Sequence, residues 1–576
     1  MKKSLIAICA LVSFAASAAW EQAGAIKVAD ASAFTKAVAK LGEVTGNQML
    51  SAMTMGFFAN PPGAEFFGPM RPGAAAMLPV FVDMAALDKN KKGDENGDSI
   101  EFAVLYPVVQ PKAEFLKAHP DAVETNGFFL VKAGPFFEVE TYVGFSPDGK
   151  WAAASDKPWQ VKDALAEIAE AEKPLGGDLV RVCVAEKGMV ALRKALADLA
   201  AEAKKKKQPY DNRLETFLAS VANCYVGLAV SDMGIDLHGA FKPVAGTEVA
   251  KMGTHPLSAD PFAFAPANAI IASSSIGFKE ESLLKTWKTI EKILNRHGLD
   301  ISRFFKAEGS DDLLAITIDT PAYLKYLQGD ATNAFAKLDI DKLGADLMGI
   351  NAGAGGTPLK MAETPQKVSL TMIGYTPKFS PSARFAATLP EAKGKKLCSA
   401  AALSLSALLQ AIVPPMMETL PEKERAEVAP MLAFLPKETA GGIASMGWRE
   451  NEEIGMMLRI SADELKGISS AVTAVMAMEA TQKEKENSWW PLPATVDRET
   501  RLAVSAITTE LPRGSAVRRL PSRHLRNEES SGLDETALRE TRQHGGVAVF
   551  GANGVGWIGV GDIKTKGIRD VKAVRG

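Results

Sequence analysis

Leu179-Val180-Arg181-Val182-Cys183 is a short, mostly apolar run, and Met189, Leu192, Leu196 and Leu199 then recur three and four positions apart. The first pattern predicts a strand and the second an amphipathic helix. The helix leads into the lysines at 204–207, cations suited to a helix C-terminus. The same succession returns at 395–398, with a helix through Leu405, Leu408, Leu409 and Ile412 that is expected to stop at Pro414-Pro415. A shorter helix is expected after each, at 214–221 and 426–435, and then a glycine-marked strand pair. Cys183 and Cys398 lie 215 residues apart, as do Gly227 and Gly442, so the pattern predicts one α+β unit used twice.

Flanking segments extend the scheme. Residues 139–145 and 150–154 suit a hairpin around Ser146-Pro147-Asp148-Gly149, where Pro and Gly occupy turn positions. Helices are expected at 159–171 and 280–296, and strands at 269–273 and 313–318. A glycine-rich loop at 351–357 is expected to separate the halves. The expected architecture is α+β: two related halves of antiparallel β-meanders with packed helices, 20–260 and 261–480, and an appendage at 481–576.

The N-terminus supplies the compartment. Lys2-Lys3, an apolar run at 5–16 and Ser17-Ala18-Ala19 form the three parts of a secretory signal peptide, 1–19, cleaved near Ala18-Ala19. The run falls short of the ~20 residues that span a bilayer. An exported protein is expected, periplasmic or extracellular, with no transmembrane helix in the mature chain. Cys183, Cys224 and Cys398 remain after cleavage; Cys183 and Cys224 flank a helix and are candidates for a disulfide, with three buried thiols as the alternative.

Composition narrows the function classes. The 576 residues carry 66 Lys+Arg against 68 Asp+Glu, a net charge of -2, which excludes whole-molecule attraction to nucleic acid. Ten arginines precede residue 486 and eleven follow it, so the C-terminal appendage is a different kind of sequence, with Arg518 and Arg519 at its basic centre. It ends in a hairpin pattern, 547–550 and 555–558, with an Asn553-Gly554 turn.

Motifs of chemistry are sparse. Gly554-Val-Gly556-Trp-Ile-Gly559 has the letters of a dinucleotide loop but lacks the helix that would hold a pyrophosphate. Ser282-Leu-Leu-Lys285 has the spacing of an acylating serine and its lysine, without the companion S-D-N and K-T-G elements. Asp88, Asn90, Asp94, Asn96 and Asp98 alternate oxygen ligands as a calcium loop does, with Gly93 sixth, yet Lys92 holds a ligand position. Calcium is the single candidate cofactor, and a solvated turn is the competing reading. The apolar stretch Phe57-Phe58, Phe66-Phe67 and Met70 suits either a core or a contact surface.

Two resemblances add to this. Asn60-Pro-Pro-Gly63, Gly68-Pro-Met-Arg71-Pro72 and the turn and strand at 94–109 resemble uncharacterised exported bacterial α+β repeat proteins, over much of 20–480. Gln543-His544 through Asn553-Gly554-Val-Gly-Trp557 resembles the H-x9-DG end of type II secretion pseudopilin-like proteins, with eight intervening residues rather than nine and Asn for Asp. The second implies that His544, Asn553 and Trp557 contact an envelope or secretion-apparatus partner, and Arg518 and Arg519 of the basic appendage are further candidates for that contact. The expected function is a non-catalytic envelope or secreted binding or structural protein. The alternatives are a pseudopilin-like secretion component and a hydrolase with an unrecognised site.

Overall fold

The computed structural model describes residues 20–46, 64–83, 100–109, 112–132, 140–206, 213–277, 282–326, 338–352, 360–419, 421–422, 425–426, 429–471, 547–551 and 554–558. The chain divides into two compact units, Met1–Glu484 and Lys485–Gly576.

The first unit begins with β1 (Trp20–Val28), α1 (Ala31–Thr45), α2 (Ala64–Phe67), β2 (Ala76–Asp83), β3 (Ile100–Phe102), β4 (Val104–Pro107) and α3 (Lys112–Ala118). The strands β5 (Val123–Thr125), β6 (Phe128–Val131), β7 (Thr141–Phe145) and β8 (Trp151–Ser155) follow, then α4 (Pro158–Ala166) and α5 (Ile168–Ala171). Next come β9 (Asp178–Val184), α6 (Glu186–Lys205), α7 (Arg213–Ala219), β10 (Val221–Ser231) and β11 (Gly234–Pro243). The later part holds β12 (Ile271–Ser275), α8 (Leu283–Arg296), β13 (Phe305–Gly309), β14 (Leu313–Ile318), α9 (Thr320–Tyr326), α10 (Ile340–Ala352) and β15 (Gln366–Met372). It closes with α11 (Pro381–Thr388), β16 (Leu397–Leu403), α12 (Leu405–Glu418), β17 (Ile443–Glu450) and β18 (Glu453–Ser461).

Ladders join these strands into one large sheet, antiparallel except for the parallel β14–β15 pair. At its centre the order is β1–β9–β10–β11–β18–β17–β16–β12. The order is palindromic about the β11–β18 ladder, where His238 faces Met457. Cys183 faces Tyr225 and Ala402 faces Ala444, each residue of the second pair 219 positions beyond its counterpart, rather than the 215 of the Cys183/Cys398 spacing. Outside the central strands the order diverges, since β1 is flanked by β2 whereas β12 is flanked by β15.

Local chemistry accounts for the elements. The hairpin β7–β8 turns at Ser146–Gly149, where Gly149 takes a φ of 69° and donates its N–H to the Ser146 carbonyl. Ser282 is the N-cap of α8, its hydroxyl accepting the Lys285 N–H, so the S-x-x-K spacing serves a helix start here. α12 passes through Pro414 and Pro415 to Glu418, three residues beyond the expected stop at Pro414-Pro415, with Met417 buried in its last turn. Tertiary packing outweighs the lost N–H groups there. The expected second helix of the later half is a short 3-10 segment, Ala429–Phe434.

The core lies on both sides of the sheet. Phe66, Phe67 and Met70 pack with Tyr106, Phe115 and Phe129, so that part of the apolar stretch is core, whereas Phe57 and Phe58 lie outside the described residues. A second cluster places Trp151, Phe81 and Leu105 against Val161 and Ala164 of α4. Six large apolar side chains, Val182, Val226, Leu228, Leu237, Met456 and Leu458, stay exposed on one face of the central strands. The three cysteines Cys183, Cys224 and Cys398 are free thiols. Cys183 faces Tyr225 and Cys224 faces Val184 on the neighbouring strand, which sends the two side chains to opposite faces and leaves no disulfide between them.

Candidate functional site

Four separate segments converge on one cleft of about 530 Å³: the start of α1, the Arg71-Pro72-Gly73 turn, Trp151 and the loop 171–178. Each is fixed by its own local bonds. Asp30 caps α1, accepting the Ala33 N–H at 2.7 Å and the Ser32 hydroxyl at 3.0 Å. Its other oxygen takes the N–H of Gly73, which ties the arginine turn to the helix start. Gly73 sits at a φ of 76°, and the turn is closed from the Ala74 N–H to the Arg71 carbonyl. Leu175–Asp178 forms a second turn, with Gly176 and Gly177 at φ of 64° and 100° and the Asp178 N–H donating to the Leu175 carbonyl. Two successive positive φ values are a type I′ turn, which the Gly-Gly pair adopts without a Cβ penalty.

Arg71 is the open group of the cleft. Its guanidinium lies 5.1 Å from the centre of the Trp151 ring, which is itself buried. The Glu172 carboxylate stands 4.0 Å from Nη2, beyond hydrogen-bond reach. Among the described residues the guanidinium has no hydrogen-bond partner, and the arginine side chain is 27% exposed. Glu172 in turn accepts the Trp151 indole N–H at 3.4 Å and is otherwise turned to solvent.

Asp178 closes the back wall and is fully engaged. One oxygen accepts from Arg181 Nε at 2.6 Å and the other meets His238 Nε2 at 2.6 Å. Gly227 makes room for this arrangement, since a Cβ there would lie 2.5 Å from the Asp178 carboxylate. Arg181 also donates to the Leu175 carbonyl at 2.7 Å, so the same network braces the glycine turn. Lys173 also lines the cleft and is paired with Glu170, so the charges at the mouth without a close ion-pair partner are Arg71 and Glu172.

Asp30 gives the cleft a pH signature. Burial pushes its carboxyl up, but the N–H groups of Gly73 and Ala33 and the Ser32 hydroxyl outweigh that and hold it below the ordinary value of 3.8. A depressed native pKa contributes stability that is complete above the unfolded value and lost as pH falls through the native one. Asp30→Ala is expected to cost about 1–2 kcal/mol near neutral pH. The gap from wild type should narrow as urea titrations move below pH 3.8. A gap that persists unchanged in acid contradicts the assignment.

The expected site residues fall elsewhere. Asp88, Asn90, Asp94, Asn96 and Asp98 lie outside the described residues, as do Arg518, Arg519, His544 and Asn553. Trp557 is in β20 (Gly554–Ile558), paired with Ala548 of β19 (Val547–Gly551). That ladder runs as far as the Gly551↔Gly554 pair, and residues 552 and 553 lie outside the described residues. Arg71 was visible as part of the Arg-Pro motif, and Gly176-Gly177 carries a turn signal; Asp30, Trp151 and Glu172 carried none that linked them. Among the described residues no His/Cys/Asp/Glu group gathers as a metal site, and no helix is long and apolar enough to cross a membrane.

The described geometry defines an α+β protein with a charged cleft beside a large, mostly antiparallel sheet. Comparisons with protein-family models, curated proteins and solved structures give no match to this chain.

Proposed function

We propose that this chain is an exported, non-catalytic binding protein that holds a small ligand by an anionic group, such as a carboxylate, in the cleft beneath Arg71. The reading rests on one observation: a guanidinium over the ring of a buried tryptophan, without a hydrogen-bond partner among the described residues, beside about 530 Å³ of accessible space. An arginine so placed is preorganised for a planar anion, because its fork of donors matches a carboxylate or phosphate and its face is already supported. The cleft volume is that of ordinary small-molecule sites. Export is supported by the three-part pattern of residues 1–19.

A thermal-denaturation screen of the full chain against small carboxylates and phosphates tests this. A ligand at ~100 times its Kd stabilises the folded state by about 2.7 kcal/mol, so a hit raises Tm by a few degrees. Arg71→Ala should abolish the rise while leaving the unliganded Tm nearly unchanged. Equal rises in both proteins would place the binding elsewhere and overturn the reading.

A second reading gives the C-terminal unit a partner in the secretion apparatus, as a pseudopilin-like module. The β19–β20 hairpin supports it, since the resemblance at 543–557 predicts such a pair. A chain ending at Glu484 that retains every envelope partner in a pull-down contradicts that role.

A further inference from the structure

The geometry points to a free α-amino acid, bound as its zwitterion, as the ligand of this cleft; the inference rests on the binding reading above. Two charges of opposite sign with unused capacity stand at the mouth, Arg71 and Glu172, with Nη2 and Oε1 4.0 Å apart. That separation is too long for a hydrogen bond between them, and it is short enough that one small ligand lying alongside touches both. A simple anion would satisfy Arg71 and would meet the uncompensated Glu172 carboxylate beside it, a like-charge contact that weakens binding. A simple cation meets the converse problem at Arg71.

A molecule with an ammonium and a carboxylate on one carbon resolves both. Its charged groups are about 3 Å apart by covalent geometry, which matches the Arg71–Glu172 spacing far better than the two ends of a peptide. The carboxylate takes the arginine fork, and the ammonium takes Glu172 Oε1, the oxygen facing Arg71, through the lone pair that the Trp151 indole N–H leaves open. The remaining wall near these groups is small and apolar, with Ala29, Ala33, Ala74, Ala75, Pro72 and Leu175, so an aliphatic side chain is accommodated. Asp30 and Asp178 do not compete for the ammonium, because their oxygens are already occupied by Gly73, Ala33, Arg181 and His238.

Isothermal titration calorimetry of the full chain with L-leucine, N-acetyl-L-leucine, L-leucinamide and 5-aminopentanoate tests this, with acetate as the anion control. Leucine is expected to bind, and each of the other three to bind about tenfold more weakly or worse, since each loses one charge-assisted hydrogen bond or its geometry. Glu172→Gln should lose leucine affinity and bind N-acetyl-leucine more tightly than the wild type does, because the like-charge contact is removed. N-acetyl-leucine or 5-aminopentanoate binding as tightly as leucine overturns the zwitterion and leaves the anion cleft standing. Leucinamide binding as tightly as leucine overturns the role of Arg71. Silence from all five probes overturns the cleft reading together with this one.

Discussion

Arg459→Ala is expected to destabilise the protein by about 3–5 kcal/mol, the cost of leaving one partner of a buried ion pair uncompensated. Arg459 of β18 lies directly opposite Asp236 of β11 in the ladder at the centre of the sheet. The pair is bidentate, Nε to Oδ1 at 2.6 Å and Nη2 to Oδ2 at 2.8 Å, and both side chains are less than a tenth exposed. The third nitrogen reaches Glu391 at 2.8 Å and the Thr388 carbonyl, so the arginine fastens the end of α11 to the sheet as well. Alanine would strand Asp236 in a water-poor site with no cation beside it. Arg459→Lys should recover part of the loss, because a point charge replaces the fork without its two parallel bonds. Urea unfolding gives the numbers. A loss below about 1 kcal/mol would mean that Asp236 finds water or another donor, against the packing described.

The second large effect is expected at Gly234. This residue opens β11 at a φ of 134°, and a Cβ built on it would lie 1.9 Å from the Ile460 carbonyl oxygen. Neither neighbour is a side chain that can swing away, so the β11 and β18 backbones must part at the Gly234↔Ser461 pair. Gly234→Ala should cost about 2–4 kcal/mol, from backbone strain at positive φ and from overpacking. Hydrogen exchange locates the damage: amides at the Gly234 end of the β11–β18 ladder should lose protection first. Wild-type stability in the alanine variant would contradict the close approach of these strands.

Both positions show why part of this fold was legible from sequence and part was not. The hairpin at Ser146–Gly149, the strand Leu313–Ile318 and the helix ending at Arg296 are set by neighbours in sequence, and local pattern finds them. Pro414-Pro415 misled for the same reason, since a local stop signal was overruled by packing of the turn beyond it. The 215-residue spacing of Cys183 and Cys398 does not match the rungs of the ladders, where Cys183 faces Tyr225 and, 219 positions on, Ala402 faces Ala444. The cleft was the least legible feature. Asp30, Arg71, Trp151 and Glu172 come from four stretches, and no spacing rule joins a helix cap, a turn arginine, a strand tryptophan and a loop carboxylate. Asp178 and His238, 60 residues apart, meet because their strands flank β10 and Gly227 leaves the gap between them.

The most direct test of the binding account is to purify the full chain from its own cells, unfold it, and identify by mass spectrometry the small molecules it releases. Arg71→Ala, purified the same way, serves as the reference. The account predicts a stoichiometric release of an amino-acid zwitterion from the wild type and none from the variant. Identical release from the two proteins, with the same compound in the same amount, would contradict it.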